Sequence, residues 1–256
     1  MADEPAERAR LNNRFGGGIF RRRLRLVASP REVRAALEDT NHAMRIVLSH
    51  DGERVTGIES VMTRIPISTC PGAAMPLRAF VGSPLAPYPR RPSAAVNPRA
   101  NCTHLHHLAL LAIAHATRGG TRQYDVEVPD EYPDPVWSSI GRDGLVVHRW
   151  RTFEGKVLAP AEHAGQPLGP GFARWASECF DGDDLEAAFV FSNAYLVSFS
   201  RRFDIAAWTG EQPRDHRPMH GKCYSYLPEV MPHGRYFANT SRDTTAADTP
   251  LLIDLA

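Results

Sequence analysis

Residues 44–62, MRIVLSHDGERVTGIESVM, carry the clearest structural signal in the chain. It contains two runs rich in Ile, Val and Met, one on each side of Asp51-Gly52. An Asp-Gly pair between such runs is the strongest short-range signal for a β-hairpin. The sequence therefore predicts two antiparallel strands, over 44–50 and 54–62.

A strand and a helix are predicted upstream of this hairpin. Apolar and basic residues alternate over 19–27, which is typical of a strand with one face in water. Ser29-Pro30-Arg31-Glu32 then predicts the start of a helix that runs to residue 38, with Ser29 as N-cap and Glu32 completing a capping box. One face of this strand would carry Phe20, Leu24 and Leu26, and the opposite face would carry Arg21, Arg23 and Arg25.

The rest of the chain alternates helical and extended patterns. Together they predict an α+β fold with a mixed or antiparallel sheet that carries helices on one face. We expect a flexible arm (1–18), a core with the Cys and His motifs (19–130), and a C-terminal extension (131–256) that packs on the core and completes a pocket. The predicted downstream helices are 73–81, 102–117, 172–180 and 185–201, and the predicted strands lie around 124–128 and 145–153.

The amino-acid composition limits the kinds of molecule that the chain is expected to bind. The chain has 256 residues, 43% of them hydrophobic and 23% charged, which excludes a disordered chain or a coiled coil. Lys and Arg number 30 against 29 Asp and Glu, so no basic field favours nucleic acid. We expect a small-molecule substrate and no nucleic-acid or membrane partner, and the sequence leaves open whether the chain is a monomer or a homo-oligomer. Four well-separated cysteines and an N-terminus without an apolar core predict reduced thiols in the cytoplasm.

Two cysteine motifs carry the first candidate site residues. In Thr69-Cys70-Pro71-Gly72-Ala73, a thiol at a strand-to-helix turn faces free backbone N–H groups, which favour the thiolate. Cys102 lies at the start of the next helix, with His104 two residues later. Both cysteines are therefore candidate nucleophiles or metal ligands, and the alternative for each is a small buried residue.

Further histidines lie on the helix that Cys102 opens. By helical spacing, His104, His107 and His115 share a face, whereas His106 points elsewhere. Imidazole and thiolate are good zinc or iron ligands. For His106, His107 and His115 the alternative is an ordinary hydrogen-bonded histidine.

A shared site would unite these residues. If Cys70 and Cys102 converge, with sulfurs ~4–7 Å apart, they and His104 supply three ligands for Zn or Fe and leave a fourth position open. His42 would be the fourth ligand or an acid/base, and Arg64 would bind a substrate carboxylate. Without a metal, Cys70 or Cys102 would act as nucleophile or acid with His104 as base.

A third motif is predicted to cover this site. His220, Cys223 and Tyr224 lie in a loop-rich region and form a candidate lid. The alternative is an ordered surface loop.

The same residues resemble a known family. His42, Arg64, the motif at 69–73 and Cys102-Thr103-His104-Leu105 are similar to a bacterial family named domain of unknown function 2889, over about 15–130. Gly221-Lys222-Cys223-Tyr224 resembles the C-terminal part of its longer members. The resemblance implies an association with enzymes of small-molecule catabolism. The order of elements is also similar to NifU-type iron–sulfur scaffold proteins, which implies that Cys70 and Cys102 are neighbours.

Two functions follow as expectations. The first is a lyase, hydratase or isomerase acting on a small apolar or aromatic compound through the Cys/His site, with or without bound Zn or Fe. The alternative is a metal- or iron–sulfur-handling protein that performs no organic chemistry. A binding module with two merely buried thiols is a third interpretation.

Overall fold

The computed structural model describes residues 11–88, 96–215 and 219–253. Residues 1–10 of the predicted arm lie outside this range. The strands are β1 (Ile19–Ser29), β2 (Glu32–Glu38), β3 (Ala43–His50), β4 (Val55–Arg64), β5 (Gly120–Pro129), β6 (Val136–Arg142), β7 (Leu145–Phe153) and β8 (Lys156–Ala159). The α-helices are α1 (Ala74–Leu77), α2 (Thr103–Ala116), α3 (Phe172–Cys179) and α4 (Gly182–Ser198).

All eight strands form one open antiparallel sheet, in the order β4-β3-β2-β1-β5-β6-β7-β8. The predicted hairpin is confirmed as β3 and β4. Asp51 Oδ1 accepts the N–H groups of Glu53 and Arg54 at 2.9 and 2.8 Å, which closes the turn. The α+β class is therefore confirmed, with an antiparallel sheet.

The predicted helix over 29–38 is wrong. Pro30 and Arg31 form a tight turn, and Glu32–Glu38 returns as strand β2, paired with both β1 and β3. Val33, Ala35 and Leu37 are buried and face the helices, in a period of two rather than of 3.6. The local capping signal is overridden because β2 gains hydrogen bonds and apolar contacts from neighbours on both sides.

Helices cover one face of the sheet. α2 packs across β1, β2 and β3, and α4 packs across β5, β6 and β7. The even-numbered residues of β1 point into the resulting core, as Phe20, Leu24 and Leu26 show with at most 1% exposure. α3 and α4 confirm the two C-terminal helices. Among the described residues, no helix is both long and apolar enough to cross a membrane.

The C-terminal segment packs beside the start of β1 and against the turn between β2 and β3. Thr244 and Thr245 hydrogen-bond to Arg21 of β1, the latter through an Nη1–O distance of 2.7 Å. Arg242 N donates to Thr40 O at 2.7 Å, and Ser241 Oγ to Asn41 Oδ1 at 2.8 Å. The end of the described chain thus covers the turn between β2 and β3.

Candidate functional site

The β2–β3 turn, residues 39–42, presents a carboxylate and an imidazole that contact each other. Asp39 is fully buried, and its Oδ1 accepts the backbone N–H groups of Asn41 and His42 at 2.9 Å each. His42 Nδ1 donates to the same oxygen at 3.0 Å. The turn thereby fixes the orientation of the His42 ring, whose side chain is 15% exposed.

Arg22 of β1 forms a buried ion pair with Asp39. Its Nε and Nη2 donate to Asp39 Oδ2 at 3.0 and 2.5 Å, and its Nη1 donates to Asn193 Oδ1 of α4 at 2.7 Å. Burial by itself raises the pKa of Asp39, but the charges of Arg22 and His42 outweigh it and hold that pKa well below the usual value. Asp39 is therefore an ionised, buried anchor.

His104 of α2 completes the group. Its ring lies 4.0 Å from the His42 ring, centroid to centroid, and its Nε2 lies 3.0 Å from Arg22 Nη2. Burial, with the charges of His42 and Arg22, holds the pKa of His104 well below its usual value. A neutral ring that accepts from Arg22 at Nε2 carries its proton on Nδ1, which faces Cys102 Sγ at 3.9 Å. His104 therefore presents a donor to the Cys102 thiol.

A metal ion does not fit between these side chains. Asp39, His42 and His104 each offer a donor atom, and these atoms lie within 4.8 Å of one another. However, Arg22 already occupies Asp39 Oδ2 and His104 Nε2, and three N–H donors occupy Asp39 Oδ1. A cation would have to displace a buried guanidinium and break this network. Hydrogen bonds already use the candidate ligand atoms of Asp39 and His104, so the group suits acid–base chemistry rather than metal binding.

Cys102 and Cys70 each lie at the start of a helical segment. Cys102 is the N-cap of α2, and Cys70 begins the 3-10 turn Cys70–Ala73. Burial, followed by the charge of Cys70, raises the pKa of Cys102 to about 12, although the N–H groups of Leu105 and His104 oppose this. Burial also raises the pKa of Cys70. Both sulfurs are therefore neutral thiols at neutral pH.

Arg64 holds the β2–β3 turn together. Its Nη2 donates to Glu38 Oε1 at 2.9 Å and to the carbonyl oxygens of Asp39 and His42 at 2.7 and 3.3 Å. Its Nη1 donates to the carbonyl oxygens of Thr40 and Thr240 at 2.7 and 3.1 Å. Arg64 thus acts as a positioning residue, since backbone carbonyls and Glu38 use the donors that a substrate carboxylate would need.

Arg64→Ala is expected to lower the free energy of unfolding by about 2 kcal/mol, because several charged hydrogen bonds to buried acceptors are lost together. Urea titration followed by circular dichroism measures this. Arg34→Ala is the matched control, because the Arg34–Glu32 ion pair is exposed, 75% and 35%, and should contribute less than about 1 kcal/mol. Equal losses in the two variants would contradict the assignment.

Of the remaining predicted histidines, His107 and His115 are buried and His106 is half-buried. His107 Nε2 lies 3.1 Å from Tyr88 Oη, and His115 Nε2 lies 3.0 Å from the Gly120 carbonyl oxygen. His106 packs against Phe80, with ring centroids 5.3 Å apart. Burial lowers the pKa of His106 to about 4 and that of His107 to about 3.

The predicted lid residues lie beside the first cysteine motif. The Tyr224 ring covers Gly72, where an added Cβ would meet Tyr224 Oη at 2.4 Å. Cys223 precedes the 3-10 turn Tyr224–Tyr226, which packs against Cys70–Ala73. His220 is exposed. The structure therefore brings Cys223 and Tyr224 to the Cys70 segment.

Sequence reasoning missed Arg22 and Asp39. A signal for Arg22 was present, because position 22 lies in the same alternation as Phe20, Leu24 and Leu26, where the strand faces the core. An arginine in that register needs a buried anion. Asp39 had the weaker signal of an Asp followed by Thr40-Asn41, a sequence typical of an Asx turn.

Residues 25–118 match the family model described as "Protein of unknown function (DUF2889)". This segment belongs to the DUF2889 family. Asp39, His42, Arg64, Cys70, Cys102 and His104 all lie within the DUF2889 segment, whereas Arg22 and Cys223 lie outside it. No curated protein and no solved structure matches the chain. The similarity to NifU-type scaffold proteins stays a prediction.

Proposed function

We propose that the protein is a small-molecule enzyme of the lyase, hydratase or isomerase type, in which His42 transfers a proton to or from a small apolar or aromatic substrate. The observation that carries this proposal is the contact between His42 Nδ1 and the buried, ionised Asp39. A carboxylate that binds one ring nitrogen fixes the tautomer and leaves the other nitrogen free to act as a base.

The surroundings of Asp39 and His42 suit proton transfer. Asp39 is held by Arg22 and two backbone N–H groups, so its charge persists at all ordinary pH values. His42 is the partly exposed member of the group, and its ring lies against the neutral ring of His104 with the two planes tilted by 33°. A substrate that reached His42 would therefore meet a fixed base beside an uncharged surface.

The thiols are less suited to be the base or nucleophile. Cys102 stays protonated because burial raises its pKa to about 12, and His104 faces it with a donor rather than a lone pair. A bound Zn or Fe would need ligands other than Asp39, whose oxygens already accept from Arg22 and from backbone N–H groups. The four cysteines are unpaired, which agrees with the reducing cytoplasm where we place the enzyme.

Solvent exchange measured by proton NMR tests the proposal. The protein is incubated in D2O with a panel of small aromatic and aliphatic carbonyl compounds and their unsaturated analogues. We expect loss of one C–H signal with at least one compound class, and a rate lower by at least about 100-fold in His42→Gln, which is the usual contribution of general acid–base catalysis.

The control is His233→Gln, which removes an exposed histidine and should leave the exchange rate unchanged. Circular dichroism of His42→Gln checks that its fold is intact. The proposal would be overturned if none of the compounds in the panel lost a C–H signal. It would also be overturned if folded His42→Gln catalysed exchange as fast as the wild type.

A further inference from the structure

Strand β4 forms one edge of the eight-stranded sheet, and most of its outer side is unpaired. It pairs with β3 alone. The segment 82–85 covers only its beginning, where Val55 N donates to Ser83 O at 2.9 Å and Val55 O accepts from Gly82 N at 2.8 Å. Beyond this point, no described segment pairs with the outer side of β4. A long stretch of sheet edge is therefore free to pair with another strand.

The backbone groups of Ile58, Ser60 and Met62 point out of this edge. Val55 is buried on the helix-covered face of the sheet, and its N–H and C=O point outward. Ile58, Ser60 and Met62 lie on that same face, because each is opposite a buried, core-facing residue of β3. Within one strand, residues whose side chains share a face also direct their N–H and C=O groups to the same side. No described residue bonds to these outward groups.

This part of β4 lacks the features that usually prevent edge strands from pairing. Natural edges are commonly protected by lysine, proline or bulges. Residues 57–62, GIESVM, contain no lysine or proline and one charged residue, Glu59. The register between β3 and β4 shifts only at the two ends of this run. Val61 is 44% exposed on the open face, which is the face without helices. Residues 57–62 therefore present a regular, weakly charged edge.

We propose that two copies of the chain associate by antiparallel pairing of β4 with β4, about a two-fold axis at Ser60. In this register, Ile58 of one copy lies opposite Met62 of the other, and their outward N–H and C=O groups bond to each other. Both side chains already pack on the main core of their own chain. Pairing therefore continues one apolar layer from one copy into the next.

Charge favours this register over its neighbour. On the open face, it places Glu59 of one copy opposite Val61 of the other, and Val61 lies beside Arg45 of its own chain. Because strands are ~4.8 Å apart, the Glu59 carboxylate reaches the Arg45 guanidinium of the second copy across Val61. An axis at Glu59 would instead place two carboxylates directly opposite each other, which is destabilising.

The other edge of the sheet limits the assembly to two copies. The segment 164–167 covers β8, since Val157 N donates to Gln166 O at 2.9 Å and Gly165 N donates to Val157 O at 2.8 Å. Within the described part of the chain, the sheet thus offers one free edge, and pairing of that edge with itself uses it completely. We therefore expect a closed dimer rather than a fibre.

Sedimentation equilibrium of the full chain over a range of concentrations tests this proposal. We expect a dimer of twice the 28.4 kDa of one chain. Ser60→Pro should make it monomeric, because it removes an outward N–H at the axis and leaves the bonds to β3 in place. Val61→Glu should weaken the dimer by about 10-fold, since the axis repeats its repulsion with Glu59. Val61→Lys faces the same carboxylate and should strengthen the dimer.

Leu158→Glu is the matched control, because Leu158 is 41% exposed on the covered edge strand β8 and should leave the dimer unchanged. Hydrogen–deuterium exchange needs no variant. The amides of Ile58, Ser60 and Met62 should become protected as the concentration rises, whereas that of Val61, which points to β3, should be protected throughout.

A wild type that stays monomeric at every concentration would overturn the proposal and leave the edge to a strand from another protein. A dimer that persists unchanged in folded Ser60→Pro, or that Val61→Glu and Val61→Lys affect equally, would overturn it as well. Circular dichroism checks the fold of each variant. None of these results bears on proton exchange by His42, so the two proposals fail separately.

Discussion

Arg22→Met is expected to lower the free energy of unfolding by about 3–5 kcal/mol, the usual result of removing one partner of a buried ion pair. The side chains of Arg22 and Asp39 are 1% and 0% exposed, so water cannot replace the lost contact. Asp39 would keep its backbone N–H donors but lose the guanidinium that compensates its charge. The linear apolar chain of Met replaces the methylene part of the Arg22 side chain and retains most of its packing, so the loss reports mainly on the charge.

Urea titration of two further variants isolates this effect. Arg23→Met is the matched control, since Arg23 lies next in β1 on the opposite face and pairs with Asp125 at 37% and 35% exposure. We expect less than about 1 kcal/mol from it. Arg22→Met combined with Asp39→Asn should recover much of the loss relative to Arg22→Met alone, because no unpaired charge remains. Equal effects of Arg22→Met and Arg23→Met would contradict the buried-pair interpretation.

Acidification from pH 7 to pH 5 is expected to destabilise the fold by about 2 kcal/mol through His107 alone. Burial, followed by the charge of Arg22, lowers the pKa of His107 to about 3 in the folded state. The unfolded chain takes up this proton below about pH 6.5 and the folded chain does not, so each pH unit costs up to ~1.4 kcal/mol. The stability is fully present above pH 6.5 and is lost as the pH falls towards 3.

Comparison of unfolding at pH 7 and pH 5 measures this effect. His107→Gln removes the titrating group and keeps a polar atom for Tyr88, so its stability should fall by about 2 kcal/mol less than that of the wild type between the two pH values. The pKa of His104 is lowered in the same direction, so part of the acid sensitivity should remain. His233→Gln, at an exposed position, should behave as the wild type does. An unchanged pH dependence in His107→Gln would show that His107 is not buried in its neutral form.

Local patterns determined much of the fold because their causes act within a few residues. The Asp51-Gly52 turn adopts its conformation through its own side-chain and backbone hydrogen bonds, so the β3–β4 hairpin is visible in the sequence. Helix α2 follows from its composition and the residues that end it. By contrast, β2 carries a local helix-start signal that its two neighbouring strands override.

Some residues of the candidate site can be found from the sequence, and others only from the structure. His42, Cys70, Cys102 and His104 stand out by residue type and by their places at turns and helix starts. Arg22 does not, because its function depends on Asp39, which reaches it only when β1 and β2 pair. A charged residue at a core-facing strand position can be recognised in the sequence, but its partner is known only from the tertiary structure.

The α+β class, the central hairpin, the start of α2 and the motifs shared with DUF2889 are visible in the sequence, since each depends on residues close together in the chain. Only the folded chain shows that Arg22 binds Asp39, that His42 is oriented by that carboxylate, and that the Cys223 segment reaches Cys70. The physical reason is sequence distance: burial and charge compensation between remote residues exist only after the sheet has formed, and no local pattern encodes which remote residues will meet.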